Sequence, residues 1–330
     1  MPNLSLNKQP ANIVHLQINR ISYLAFIEIF FKYDFLSYEI KPAEGFYSDS
    51  DLKYDAEYAA IVEKLLEISL TLQQDDVLPF GRMFEAQIAL STHGLLVFAN
   101  KLSRSPLAEL RELGKELRSL AGISQVVENN VADETNNIDF RQSKADSEIR
   151  ILDKDNSFEN KLIFHHLFQT QSDPIEKIAE KAEMMTPEQK EKVFSQILGA
   201  NTTRLPKSIL HQSFCAIEII APFFELKSLI KCPQIKTLTS SFTTAYGHVT
   251  PDCIVHSNQY ESYLSAVELI KKYFRETNNL YAISQTFKQR LIVSADLHFL
   301  NVIKKSEAPL GKKIFLEIEK AFPFINMQKM

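Results

Sequence analysis

Two histidines and a cysteine in the C-terminal half of the chain carry the side chains that zinc prefers as ligands. His248, Cys253 and His256 fall within nine residues, and neutral imidazole together with thiolate is ordinary zinc chemistry. A tetrahedral site needs further ligands, and no second pair in the sequence completes it. The plainer interpretation is a loop after Tyr246 and Gly247 that carries these residues incidentally, so no metal site is predicted.

Three lysines near residue 230 could line a pocket for an anion. Lys227, Lys231 and Lys236 lie within ten residues, and ammonium groups attract phosphate and carboxylate. Solvated surface lysines are the alternative. Cys232 follows Lys231 directly, and a neighbouring cation favours the reactive thiolate form of a cysteine. The alternative for Cys232 is a buried, inert side chain.

The composition restricts the classes of function. The chain has 330 residues, of which 45% are hydrophobic and 24% charged, as in a folded globular protein. The formal net charge is -4 and the sequence pI is about 6.1, so a nucleic-acid partner is not expected. Only 8 residues are glycine and no G-x-G occurs, which excludes the P-loop and the Rossmann fingerprint.

The cysteines and the apolar stretches indicate a location inside the cell. The three cysteines are widely spaced and odd in number, which is unlike a secreted disulfide framework. The first ten residues lack an apolar segment, and the longest apolar stretches are interrupted by Glu28 and Glu218. The sequence therefore predicts a cytoplasmic protein without a membrane partner.

Hydrophobic periodicity predicts helices and strands in both halves of the chain. Residues 55–72 and 260–274 each place apolar side chains on one stripe, the pattern of an amphipathic helix. Residues 13–18 and 214–220 are typical of strands, and 21–31 could be helical. Proline and glycine make 41–54 a predicted loop, and two helical runs are expected between Pro79 and Ser105.

Capping residues mark two helix starts. Ser105 and Pro106 are predicted to open a helix that buries its leucines, which leaves Glu109 on a charged, exposed face. Thr186 and Gln189 form a predicted capping box, in which each side chain bonds the backbone N–H of the other residue. Between 126 and 160 the periodicity fades into Asn, Asp, Glu and Ser, which predicts an acidic linker.

The second half of the sequence repeats the first. The recurring residues are 201 to 205 positions apart, and predicted elements follow in the same order in both halves. Chance similarity between amphipathic helices is the alternative to a duplicated domain with a pseudo-twofold core. The matching pairs are Tyr58 and Tyr263, Val62 and Val267, Glu63 and Glu268, Phe98 and Phe299, Asn100 and Asn301, Pro106 and Pro309, and Leu107 and Leu310.

These motifs resemble the flavin-dependent thymidylate synthases, the ThyX family, in the long form that carries two copies of the domain. Residues 78–113 can be laid on the first copy of that form without a gap, and they end in SPLAELREL, which is close to the family's HPLAEVREL. Residues 224–251 follow the stretch that the family builds around RDLqRHR, with Tyr246, Gly247 and Pro251 near its GY-x-x-P. The resemblance covers most of the chain apart from the linker.

The chain departs from the family where the family binds anions. In place of RDLqRHR it reads KSLIKCP, so Lys227 and Lys231 keep positive charge while the histidine and the last arginine are lost. Arginine presents a fixed fork of donors to phosphate, and lysine replaces it poorly. Each lost charge-assisted contact costs about 1.5 to 3 kcal/mol, so the resemblance combined with these losses implies weak nucleotide binding.

The first copy departs in the same way. The family's E-x-S-x-R aligns with Glu39, Lys41 and Ala43, so the glutamate remains and the arginine does not. The polar position before the helix that carries Phe98 aligns with His93. Its counterpart in the second copy is an arginine in the family, whereas this chain has Ser294.

The resemblance implies an α+β fold of two tandem domains, each with helices packed on a small curved antiparallel sheet. The first copy would span 1–125, the linker 126–160 and the second copy 161–330. FAD would be the cofactor and dUMP the substrate, with Lys227, Lys231, His93 and Glu39 as the cofactor-binding residues. No catalytic residue is assigned. Because the single-copy family forms a homotetramer, a two-copy chain is expected to form a homodimer.

Three functions are compatible with these residues. The first is a diverged ThyX-like protein that retains FAD or nucleotide binding but is poor or inactive in dUMP methylation. The second is a non-catalytic interaction protein that keeps the duplicated fold as a surface. The third is an enzyme with a different chemistry, for which Cys232 would be the nucleophile.

Overall fold

The computed structural model describes residues 4–8, 13–33, 35–47, 56–122, 148–199, 210–230, 235–323 and 325. Helices pack on two separate antiparallel sheets of four strands each, so the predicted α+β class is confirmed. The chain divides into two compact units. The first lies within Met1–Ser143 and Phe242–Lys288, and the second within Lys144–Ser241 and Gln289–Met330.

The first sheet belongs to the first unit and has the strand order β1-β2-β4-β3. In β2 the side chains of Val14, Leu16 and Ile18 are buried, while His15 and Gln17 between them are exposed, because successive residues of a strand point to opposite faces. The elements of this repeat are β1 (Leu4–Lys8), β2 (Ile13–Ser22), α1 (Tyr23–Lys32), β3 (Ser37–Phe46), α2 (Ala56–Leu72), a 3-10 turn (Asp75–Val77), β4 (Arg82–Ser91), α3 (Thr92–Leu102) and α4 (Ala108–Ala121).

The second sheet belongs to the second unit and has the same topology, in the order β5-β6-β8-β7. Its repeat contains β5 (Ile149–Lys154), β6 (Cys215–Pro222), α8 (Phe223–Ile230), β7 (Lys236–Thr239), α9 (Asp252–Val255), α10 (Tyr260–Thr277), a 3-10 turn (Leu280–Ala282), β8 (Lys288–Ala295), α11 (Leu297–Lys304) and α12 (Pro309–Ala321). Between β5 and β6 the described residues also form α5 (Phe158–Thr170), α6 (Ile175–Met184) and α7 (Pro187–Gly199), which are absent from the described part of the first repeat.

The two halves repeat in structure as well as in sequence. Gln73 and Asn278, which follow α2 and α10, both adopt a left-handed backbone with φ of 53° and 54°. This conformation is uncommon for residues other than glycine, so its recurrence 205 residues later is informative. The buried stripes of α2 and α10 recur at the same interval; they comprise Tyr58, Ile61, Val62, Leu65 and Ile68, and Tyr263, Ala266, Val267, Ile270 and Tyr273.

Within the first unit, α2 and α10 pack against each other as counterparts. The rings of Tyr58 and Tyr273 stack with centroids 6.1 Å apart, and Lys64 Nζ donates to Ser265 Oγ at 3.0 Å. A short antiparallel bridge joins Pro79 to Ser284, and these two residues are also 205 positions apart. A contact between an element and its own counterpart is the form that an interface between identical subunits takes.

Two strands of the first sheet, β3 and β4, lie where the sequence predicts other structure. Residues 41–46, part of the predicted loop 41–54, belong to β3, which pairs with β4 on one side only. An edge strand accommodates Pro42, which lacks an N–H, and the register shifts between Pro42 and Phe46. The first of the two helical runs expected between Pro79 and Ser105 is also wrong, because residues 82–91 form β4.

The range predicted as a linker contains regular structure at its end. Strand β5 and the first residues of α5 lie within 126–160, and the rest of that range up to residue 147 lies outside the described residues. Only alternate apolar residues of β5, Ile149 and Ile151, are partly covered, because β5 is an edge strand. The charged residues beside them are exposed, so the sequence of β5 shows little of the apolar alternation that predicts a strand.

Other predicted features agree with the structure. The capping box is confirmed at the start of α7, where the Thr186 N–H donates to Gln189 Oε1 at 3.0 Å and the Gln189 N–H donates to Thr186 Oγ1 at 3.4 Å. Strand β2, strand β6 and helix α10 lie where the periodicity predicts them. Across the described ranges, none of the helices has the length and apolar character needed to cross a bilayer.

Candidate functional site

Two of the four residues that the resemblance assigns to a cofactor, Glu39 and His93, lie in the first unit and are far apart there. Glu39 lies in the middle of β3, opposite Gln87, and its carboxylate forms an exposed ion pair with Lys41 at 3.0 Å. His93 is exposed and is the second residue of α3, not the residue before it. Ser91, the residue before α3, lies four positions along β4 from Gln87, about 13 Å at 3.3 Å per residue, so Glu39 and His93 do not converge.

The remaining two positions lie elsewhere. Lys227 is on α8 in the second unit, whereas Lys231 and the neighbouring Cys232 lie outside the described residues. In the first unit, Glu39 and His93 therefore do not form together an anion-binding site of the kind that the family motifs describe.

The three possible zinc ligands lie in different environments. His248 is half-buried between the rings of Tyr263 and Phe287, at centroid distances of 6.1 and 5.9 Å, and burial lowers the pKa of its imidazole. Cys253 is exposed on α9, and His256 follows that helix. In the part of the chain that the structure describes, no three His, Cys, Asp or Glu side chains could share a metal ion.

A groove in the first unit lies beside the motif that resembles the family most specifically. Its volume is about 360 Å³. It opens between the C-terminal part of α1, the end of α3, the turn that follows α3 and the first turn of α4. Its lining residues are Glu28, Tyr33, Lys101, Arg104, Ser105 and Leu110.

An aromatic cluster positions Tyr33 on the wall of the groove. Its ring stands edge-on to Phe98 at 4.8 Å, and Phe35 contacts Phe98 in the same way at 5.8 Å. Lys101 Nζ lies 5.2 Å from the centroid of the Tyr33 ring, a favourable cation–π distance. Burial, and then the Glu28 carboxylate, raise the pKa of Tyr33 to about 12. The phenol is therefore neutral near pH 7 and can donate a hydrogen bond.

Hydrogen bonds fix the turn that carries Arg104 and Ser105. Arg111 Nη1 donates to the carbonyl oxygens of Ser105 at 2.9 Å and Pro106 at 2.8 Å. Gly114 lets α4 approach closely, since a Cβ there would lie 2.8 Å from the Ser103 nitrogen. Helix α4 begins at Ala108, two residues after the predicted start, and Ser105 Oγ accepts from the Leu107 N–H at 3.2 Å.

Glu109 anchors α4 to α1, contrary to the prediction of an exposed charged face. Its side chain is buried, and it accepts from the Ser22 N–H at 2.7 Å and from Ser22 Oγ at 2.5 Å. Ser22 is the N-cap of α1, and its Oγ also accepts from the Ala25 N–H. The carboxylate faces the core because helix residues 109, 113 and 117 share one side of α4.

The groove combines groups of complementary chemistry. Lys101 and Arg104 supply positive charge and donors suited to a phosphate, and the Glu28 carboxylate can accept from a hydroxyl or N–H group. The Tyr33 ring offers a flat apolar surface. The sequence signal for this site is the pair of cations, Lys101 and Arg104, that directly precedes the motif 105–113.

The second repeat does not reproduce this combination. At the interval of 201 that relates Phe98 to Phe299, Lys101 corresponds to Val302 and Arg104 to Lys305. Helix α1 begins at Tyr23 and α8 at Phe223, an interval of 200, so Glu28 corresponds to Ser228. Ser228 Oγ donates to the Glu225 carbonyl oxygen at 3.0 Å. The second repeat thus lacks both the lysine and the carboxylate.

Comparisons with known proteins give no relative for this chain. No family model, no curated protein sequence and no solved structure matches it.

Proposed function

We propose that this chain is a diverged ThyX-like protein that binds a mononucleotide in the groove beside residues 105–113 and does not carry out ordinary thymidylate synthesis. In this proposal it acts in the cytoplasm as a homodimer. The observation that carries the proposal is the convergence of Lys101, Arg104, Glu28 and Tyr33 next to the family-like motif. A nucleotide presents a phosphate, a sugar hydroxyl and a flat base, and the groove has a matching group for each.

The size of the groove favours a mononucleotide over a dinucleotide. At about 360 Å³ it is near the lower end of the range of roughly 300 to 1,000 Å³ for small-molecule sites. A nucleotide of the size of dUMP suits this volume better than FAD, which carries a second nucleotide. The absence of ordinary synthesis is supported by the lost arginines and by Glu39, which is paired with Lys41 on an open strand.

Reversing the charge at Lys101 is expected to weaken dUMP binding at least tenfold. A charge-assisted contact contributes about 1.5 to 3 kcal/mol, which corresponds to a factor of roughly 10 to 150 in Kd. Isothermal titration of dUMP into Lys101→Glu and wild type measures this difference. Titrations with FAD and with inorganic phosphate show whether the base and sugar contribute or the phosphate alone is bound.

Lys305→Glu is the matched control, because Lys305 is the exposed counterpart of Arg104 in the second repeat. It changes the net charge equally and is expected to leave the affinity unchanged. Equal weakening by both variants would show that binding depends on overall charge, and an unaltered Lys101→Glu affinity would place the ligand elsewhere.

A second candidate function is the non-catalytic interaction protein. The observation in its favour is that aromatic side chains fill the region of the first unit where segments of the two repeats pack together. Phe80, Tyr263 and Phe287 are fully buried there. Phe80 also contacts Phe242 edge-on at 4.6 Å. This function predicts colourless protein and no saturable binding of dUMP or FAD, so the same titrations separate the two candidates.

A further inference from the structure

One stripe of α3 is exposed along the length of the helix. His93, Leu96, Val97 and Asn100 follow the spacing i, i+3, i+4 and i+7, which places them on one side of a helix. Leu96 is 41% and Val97 39% exposed. Two adjoining apolar side chains at the centre of an exposed stripe are the arrangement by which a helix packs on another helix.

The counterpart helix of the second repeat is covered on this side. At the interval of 201, Leu96 corresponds to Leu297, which is 1% exposed, and Val97 corresponds to His298. The His298 ring lies 5.7 Å from that of His211, which belongs to the segment returning from α7 to β6. Only four residues, 9–12, connect β1 to β2 in the first repeat, which is too short for a covering segment like the one that carries His211.

The order of side chains on the stripe fits a second copy of the same stripe. Across a twofold axis perpendicular to the helix, two α3 helices run antiparallel, which brings Leu96 and Val97 of both copies together at the centre. His93 of each copy would then stand opposite Asn100 of the other, and an imidazole and a carboxamide can exchange a hydrogen bond. The stripe carries no carboxylate, lysine or arginine, so like-charge repulsion does not oppose this pairing.

We propose that two chains associate through the stripe His93, Leu96, Val97 and Asn100 of α3. This specifies the surface of the homodimer included in the proposed function, and it does not depend on the nucleotide groove. A single pair of helices of 11 residues buries less than the roughly 1,200 Å² of a standard stable interface. The dimer is therefore a weak one, and its population rises with protein concentration.

Sedimentation equilibrium of the full chain tests this surface. Leu96→Glu combined with Val97→Glu is expected to raise the dimer dissociation constant at least tenfold, because four carboxylates would meet at the axis. Leu316→Glu is the control, since Leu316 is an exposed leucine (51%) on α12 of the second repeat, and it should leave the constant unchanged. Thermal melts verify that both variants are folded.

A cross-linking experiment provides an independent readout. In a background with Cys232→Ser and Cys253→Ser, which leaves only the buried Cys215, Val97→Cys is expected to give an oxidised dimer, and Leu316→Cys is not. A native chain that is monomeric at all accessible concentrations would overturn the proposal. So would a dimer constant that the double variant leaves unchanged. The nucleotide groove is tested separately, because Lys101→Glu should alter dUMP binding and leave the dimer intact.

Discussion

Gly81→Ala is expected to destabilise the chain by about 2 to 3 kcal/mol, in the range measured for overpacked cores. A Cβ at position 81 would lie 2.2 Å from Tyr58 Oη and 3.2 Å from the Tyr281 carbonyl oxygen. The Tyr58 ring is buried in the stripe that contacts α10 and stacks on Tyr273, so it cannot move away freely. Urea unfolding of wild type and variant measures the difference.

Tyr58→Phe combined with Gly81→Ala is the matched control. Removing the hydroxyl makes room for the new methyl group, so the double variant is expected to recover most of the stability lost by Gly81→Ala relative to Tyr58→Phe alone. The second repeat uses the same pair of positions differently, because Thr286 stands at the counterpart of Gly81 and accepts from Tyr263 Oη at 2.8 Å. Additive effects of the two substitutions would show that the close approach is not what requires glycine.

Glu109→Ala is expected to cost about 3 kcal/mol. The substitution removes two charge-assisted hydrogen bonds, each contributing about 1.5 to 3 kcal/mol less the cost of burying the carboxylate. It also leaves the Ser22 N–H at the start of α1 without its acceptor. Chemical denaturation monitored by circular dichroism measures the loss, and because α4 borders the groove, dUMP affinity should fall as well.

Glu112→Ala on the same helix provides the comparison. The Glu112 carboxylate is exposed and pairs with Lys115 at 2.8 Å, and surface pairs of this kind contribute between about 0 and 1 kcal/mol. A loss for Glu109→Ala as small as that for Glu112→Ala would contradict the anchoring role of Glu109.

Helices α2 and α10 and the internal repeat could be predicted from the sequence because they depend on local patterns. The buried stripes of α2 and α10 consist of apolar residues at helical spacing, and the capping box needs only Thr186 and Gln189. Such features follow from residues close together in the chain. The α+β class is instead what the resemblance of residues 78–113 and 224–251 to the ThyX family implies.

Features that depend on distant parts of the chain could not be read in this way. Strands β3 and β5 lie at sheet edges, so few of their residues are buried and the alternation of apolar residues is weak. Glu109 shows the same limit, because its partner Ser22 is 87 residues away and nothing near position 109 distinguishes it from the exposed Glu112. The groove brings together Glu28, Lys101 and Arg104 from different helices and a turn, which only the fold reveals.

Calorimetric titration of dUMP into the unmodified chain tests the proposed nucleotide site most directly. Because the second repeat has Val302 where the first has Lys101, and Ser228 where the first has Glu28, saturable heat with one dUMP bound per chain is the expected result. Two equivalent sites per chain, or no saturable heat up to millimolar dUMP, would contradict a single nucleotide groove in the first repeat.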